Sequence, residues 1–138
     1  MTTSSHCYCH TQTPYDRCCL PFHDGISYPP TTLHLLKSRY AAFACRRPDY
    51  IQSTMVLPAL AQFNRHDIEH STTVWVDLKV IESEAGQLFD QTGTITFDAY
   101  FKEHPTAQVR AFRETSAFVR SEGRWMYAES LAHDMIDL

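Results

Sequence analysis

The chain has 138 residues, a size that suits one domain or one domain with a small appendage. Its 12 basic and 16 acidic residues give a net charge of −4, which is not the footprint of a nucleic-acid-binding protein. No apolar run reaches membrane-spanning length, and the opening MTTSSH has neither the basic nor the apolar region of a secretory signal. A cytoplasmic protein is therefore expected, where thiols stay reduced and clustered cysteines serve metal more often than disulfides.

Such a cluster comes first in the chain. In CYCHTQTPYDRCC (7–19), Cys7 and Cys9 form one arm and Cys18 and Cys19 the other. Pro14, Tyr15 and Asp16 supply turn formers in the eight-residue loop between them. Four soft thiolates suit tetrahedral zinc, and four protein ligands leave no open position for water, so the ion is expected to be structural. The competing readings are buried small residues or two disulfides, the latter opposed by the strain of pairing adjacent cysteines. His6, His10 and His23 flank the cluster as substitutes for a thiol, but the all-cysteine set is the first choice. Residues 1–25 are taken as this element and 26–138 as the main domain.

The segment 23–32 is rich in turn residues and reads as a linker. Thr31 or Thr32 then caps a helix over 33–46, with Leu33, Leu36, Tyr40 and Phe43 as one apolar stripe. Pro48 breaks it and opens a short helix over 48–55. A third helix is expected over 58–68. From there the period changes to two. Residues 72–84 place Val74, Val76, Leu78 and Val80 on one side and Trp75, Asp77 and Lys79 on the other. Residues 93–103 turn Ile95, Phe97, Ala99 and Phe101 inward. Residues 107–121 shift parity between Ala111 and Phe112, which predicts a bulge there. A hairpin turn at 121–123 leads to a last strand over 123–130. Helices followed by four antiparallel strands indicate an α+β domain with helices on one face of a curved sheet.

Several stretches resemble one family. Cys-x-Cys-x₈-Cys-Cys resembles the SEC-C motif, a small zinc-binding element of the SecA translocation ATPase. CCLPF (18–22), LLKSRYAAF (35–43) and RETSAFVRSEGRWMY (113–127) are similar to segments of the YchJ-like family of bacterial proteins. The resemblance implies a nuclear transport factor 2-like (NTF2-like) cone beside a SEC-C zinc element. The motif departs from its usual Cys-Pro-Cys-Gly-Ser-Gly form. Tyr8 stands for proline, His10-Thr11-Gln12 for the glycine turn, and the basic residues that follow are missing. In SecA the element is implied in contacts with a chaperone or the ribosome, so the departures weigh against such a partner while the thiols remain.

No phosphate loop, zinc-protease motif or nucleophile elbow is present, and no catalytic residue is assigned. The cone implies a pocket, for which Arg39, Tyr40, Glu114, Ser116 and Trp125 are candidates, with Tyr127 beside them. Arg39 and Glu114 read either as ligand anchor and acid/base or as a salt bridge tying helix to sheet, and the salt bridge is the expectation. The family's Thr-Trp-His-Pro appears as TMVLP (54–58), and the arginines of its Glu-Arg-Ser-Arg-Phe are absent from ETSAF (114–118). Cys45 reads as a packed small residue, and His66 and His70 as a solvated pair. The expected function is a non-catalytic zinc-binding protein whose element is structural or meets a protein partner. The alternatives are a small-molecule-binding domain or enzyme using the cone, and thiol-based redox or metal sensing. A homodimer through the sheet is a further expectation.

Overall fold

The computed structural model describes residues 6–138. Residues 1–5, on which the non-secretory reading of the N-terminus rests, lie outside the described residues.

A 3₁₀ turn at Tyr15–Arg17 and a short helix α1, Leu20–His23, carry the second pair of cysteines. Helix α2 spans Thr32–Ala44, capped by Thr31, whose Oγ1 accepts from the His34 N–H at 3.2 Å. Its buried side is wider than the expected stripe, keeping Leu36 and Tyr40 and adding residues beside them. Leu35 and Leu36 are buried, whereas Leu33 stands at the surface. Helix α3, Pro48–Ser53, follows. The single helix expected over 58–68 is two pieces, a 3₁₀ turn at Ala59–Gln62 and helix α4, Arg65–Glu69. Asn64 makes the break: it is extended, and its side chain caps α4 by accepting from the Asp67 N–H.

Among the described residues four strands form one antiparallel sheet in sequential order: β1 Val74–Ala85, β2 Thr92–Lys102, β3 Arg110–Ser121 and β4 Arg124–Ile136. Glu122 and Gly123 both have positive φ, 51° and 81°, the conformation of a two-residue type I′ turn between β3 and β4. The bulge expected at 111–112 is not there. The β2–β3 register runs unbroken from Thr92↔Val119 to Phe101↔Arg110. Val109 precedes the strand, and Ala111 takes the opposite face from Phe112. Register shifts fall instead in β1, at Val76 and Ile81, and in β4, at Ala128 and Leu131. The shift at Val76 lets Trp75 and Leu78 both pack on the core while Val76 and Val80 are exposed, so the β1 alternation does not hold as one face.

The core between α2 and the sheet is built from Leu35, Leu36, Ile95, Phe97, Phe118 and Trp125. Trp125 is 1% exposed, and its indole N–H donates to the Pro30 carbonyl at 3.1 Å. The β1–β2 turn is tied to the start of α2: the Thr32 N–H donates to the Gly86 carbonyl at 2.9 Å. Gly86 has φ +79°, and a Cβ there would meet Thr32 Cγ2 at 2.8 Å. Gly86→Ala is therefore expected to lower unfolding free energy by about 2–4 kcal/mol, measured by chemical denaturation.

Asp98 and Arg113 face each other across β2 and β3. Arg113 donates to both carboxylate oxygens, at 2.7 and 3.0 Å, and these bonds hold the Asp98 carboxyl below its usual range. A carboxyl depressed by folding contributes stability above its unfolded pKa, about 3.9, and that contribution disappears as pH falls through the folded value. Asp98→Asn is expected to be less stable than the parent near neutral pH. The gap should close from about pH 4 downward in urea unfolding followed across pH.

Candidate functional site

The cysteine segment folds back on itself and then onto α2. The Cys7 N–H donates to the Thr13 carbonyl and the His10 N–H to the Cys7 carbonyl, closing a tight turn. His10 sits in that turn at φ 70°, a left-handed conformation that glycine adopts freely. It stands where the SEC-C motif has its first glycine. Its side chain is used: Nε2 lies 2.8 Å from the Tyr40 hydroxyl on α2.

All four sulfurs of Cys7, Cys9, Cys18 and Cys19 lie within 4.8 Å of one another. The five cysteines are free thiols, and Cys7, Cys9 and Cys19 are buried. The fit to a metal can be judged from the spacing. A tetrahedral thiolate site with metal–sulfur bonds of about 2.3 Å has sulfur–sulfur edges of about 3.8 Å. Cys9–Cys18 is 3.7 Å and Cys18–Cys19 is 3.9 Å. The Thr11 hydroxyl lies 3.5 Å from Cys9 Sγ and 3.3 Å from Cys18 Sγ, the kind of support that orients ligands from behind. Hydrogen bonding from Cys19 drives the Cys9 thiol far below its usual range. Cys19, donating to Cys7 and Cys9 and buried, is driven far above it. Charge on sulfur is thus favoured at Cys9 and opposed at Cys19, and four sulfurs at this spacing are a donor set that can hold a metal.

A polar relay locks this element to the domain. His23 is 8% exposed. Its Nε2–H donates to the Ser38 carbonyl at 2.8 Å, which leaves Nδ1 to accept from the Tyr15 hydroxyl at 2.7 Å. Burial lowers the His23 pKa, in keeping with that neutral tautomer. The Tyr15 oxygen accepts in turn from Arg47 at 3.2 Å, and Arg47 pairs with Asp24 at 3.0 Å. Cys45 points its thiol at the same oxygen, at 3.9 Å, and burial raises its pKa, which disfavours a reactive thiolate. His23 and His10 therefore act in docking, while the thiols alone make the close cluster. His66 of α4 and His70, which follows it, stack at 4.1 Å, and no third ligand joins them among the described residues.

On the far side of Tyr40 lies a cavity of about 270 Å³ between α2 and the sheet. Its walls are Leu36, Phe43, Trp75, Phe97, Phe112 and Phe118. Of the residues expected there, Arg39, Tyr40, Glu114 and Ser116 line it, joined by Tyr127. Trp125 does not; it is core, held away at the start of α2 by its bond to Pro30. The expected salt bridge is also absent. Arg39 makes no ion pair with Glu114. Arg39 Nη1 donates to the Ile51 carbonyl at 2.9 Å and to Thr54 Oγ1 at 2.7 Å, and the guanidinium lies 4.8 Å from the Tyr127 ring centre. Burial pushes its pKa down to about 10. Glu114 Oε2 instead accepts from Ser116 at 2.6 Å and from Tyr127 at 3.1 Å. Arg39 lies on the α3 side of this wider buried face, which an apolar stripe does not mark. The aromatic wall was also missed, because Trp75 reaches it only through the bulge at Val76.

Comparison with known proteins agrees with this architecture. Residues 31–130 match the model of the YchJ middle NTF2-like domain. A UPF0225 protein of Sodalis glossinidius is 37% identical over 127 residues, covering 91% of this chain and 82% of that protein. The solution structure of a SEC-C motif containing protein from Rhodopseudomonas palustris superimposes with a TM-score of 0.79. It is 27% identical, and the match covers 96% of this chain and 99% of that one. A crystal structure of a SEC-C motif containing protein from Psychrobacter arcticus gives 0.76 at 25% identity, covering 99% of this chain and 86% of that one. No helix among the described residues is long and apolar enough to cross a membrane. With its NTF2-like domain matched over residues 31–130 and a four-cysteine element ahead of it, the chain belongs to the YchJ family.

Proposed function

We propose that Cys7, Cys9, Cys18 and Cys19 hold one structural zinc ion, and that the ion staples the N-terminal segment to α2. The observation that carries this reading is the mutual approach of the four sulfurs within 4.8 Å. A segment this short buries little apolar surface of its own. Zinc binding in small peptides contributes on the order of 10–16 kcal/mol and is coupled to folding. Four cysteine ligands complete the tetrahedron, so the ion has no place for substrate water and serves structure. The burial of three of the four thiols against Tyr40 and Ala41 favours the staple over a surface offered to a protein partner.

The purified, reduced protein is expected to contain about one zinc per chain, with a chelator unmasking four thiols. Metal mass spectrometry and thiol titration check this. No metal, with all five thiols reacting at once, overturns it. The docking relay gives a separate test. Tyr15→Phe leaves His23 Nδ1 without its donor and is expected to cost about 1–3 kcal/mol. The loss should appear as faster hydrogen exchange over residues 7–24 with the sheet unchanged.

A second reading has its own observation. Arg39 and Glu114 both line the cavity without pairing, which favours a small-molecule-binding role for the cone over a purely structural use of these charges.

A further inference from the structure

Resting on that second reading, the shape and polar wall of the cavity define a ligand class. Its volume, about 270 Å³, exceeds the ~150 Å³ that encloses one benzene-sized ring, so two fused rings fit. Phe43, Trp75, Phe97 and Phe112 give the body of such a ligand aromatic neighbours. The polar groups fix its edge. Arg39 is 7% exposed, and both its hydrogen bonds leave from Nη1. Nε and Nη2 make none among the described residues. Glu114 receives Ser116 and Tyr127 on Oε2, and Oε1 accepts nothing among the described residues. No buried side-chain nitrogen or oxygen among the described residues lacks a partner, so the free donors of Arg39 open onto the cavity, where a ligand acceptor can reach them.

The charges narrow the class. Arg39 and Glu114 are opposite in sign, so the wall has no net charge. A carboxylate would pair with Arg39 and repel Glu114; an ammonium would do the reverse. A neutral edge with a carbonyl beside an N–H matches both, the carbonyl accepting from Arg39 and the N–H donating to Glu114. We propose that the cavity binds a neutral, planar, bicyclic ring compound of lactam type, its amide edge on Arg39 and Glu114 and its rings among the aromatic walls.

The test uses the full metal-loaded chain and three probes of one size: isoquinolin-1(2H)-one, 1-naphthoate and naphthalene. Binding is followed by chemical shifts, including the Trp75 indole N–H. The lactam is expected to bind most tightly and to move the Trp75 signal. Glu114→Gln can present an amide N–H to the ligand's own N–H, and is expected to weaken the lactam about tenfold or more while leaving naphthalene unchanged. Arg39→Met is expected to do the same; if it fails to fold, Glu114→Gln decides alone. Tighter binding of naphthoate or naphthalene than of the lactam, or a lactam affinity indifferent to Glu114→Gln, overturns the ligand class while keeping the cavity as a binding site. No binding by any probe overturns both the class and the binding reading.

Discussion

Three consecutive residues of α2, Ser38, Arg39 and Tyr40, are all buried, and each bonds to a different part of the molecule. Successive helical residues point about 100° apart, so a polar triplet inside a helix must find partners in three directions or leave buried groups unpaired. Ser38 meets the cysteine element through its carbonyl, which accepts from His23, and α3 through its hydroxyl, 2.7 Å from the Tyr50 hydroxyl. Arg39 reaches the end of α3, and Tyr40 reaches His10. The arrangement of the N-terminal half follows from satisfying this triplet. The element, α1 and α3 sit where they supply the missing donors and acceptors.

The same constraint separates the two sides of the molecule. Toward the N-terminus the partners are complete: His23, Tyr15, Arg47 and Asp24 form a continuous chain of donors and acceptors. Toward the sheet Arg39 is tied down only at Nη1, while Glu114 is oriented by Ser116 and Tyr127 rather than neutralised by the guanidinium. A buried charge held by carbonyl and hydroxyl oxygens keeps its position without a counter-ion in contact. Two fixed, opposite charges beside an aromatic cavity form a wall whose geometry is set before anything enters it, and such preorganisation lowers the cost of binding.

The cysteine pattern, the capped helix at Thr31 and the strand periods were legible because each is a local signal: ligand spacing, a cap before an apolar stripe, alternation by two. What the sequence hid was non-local. The inward turn of Trp75 depends on an extra residue at Val76 that no alternation reports. The parity change before Phe112 looked like a bulge because Val109 was counted into a strand that starts at Arg110. Opposite charges near a core usually pair, which makes Arg39 and Glu114 look like partners, but Ile51 and Thr54 hold the one and Ser116 and Tyr127 the other. By sequence His10 is only a histidine flanking the thiols. Its position in place of a glycine was the available clue that its backbone, as well as its ring, was in use.

Tyr40 joins the two halves. Its hydroxyl meets His10 of the cysteine element, and its ring is part of the cavity wall, set edge-on to Trp75 at 5.5 Å between centres. Trp75 packs in turn against both the cysteine cluster and the main core. The element therefore forms the backing of the cavity wall. With the element docked, Tyr40 has its hydroxyl bonded and its ring held between the cysteines and Trp75 of β1. With the element released, the hydroxyl loses His10 and the ring loses its support. Any difference in free energy that an occupied cavity makes to the position of Tyr40 must then be felt equally by the element, because coupling between two sites is reciprocal. On the structural-ion reading proposed above, an ion at the four thiols would bear on the shape of the cavity through one shared tyrosine.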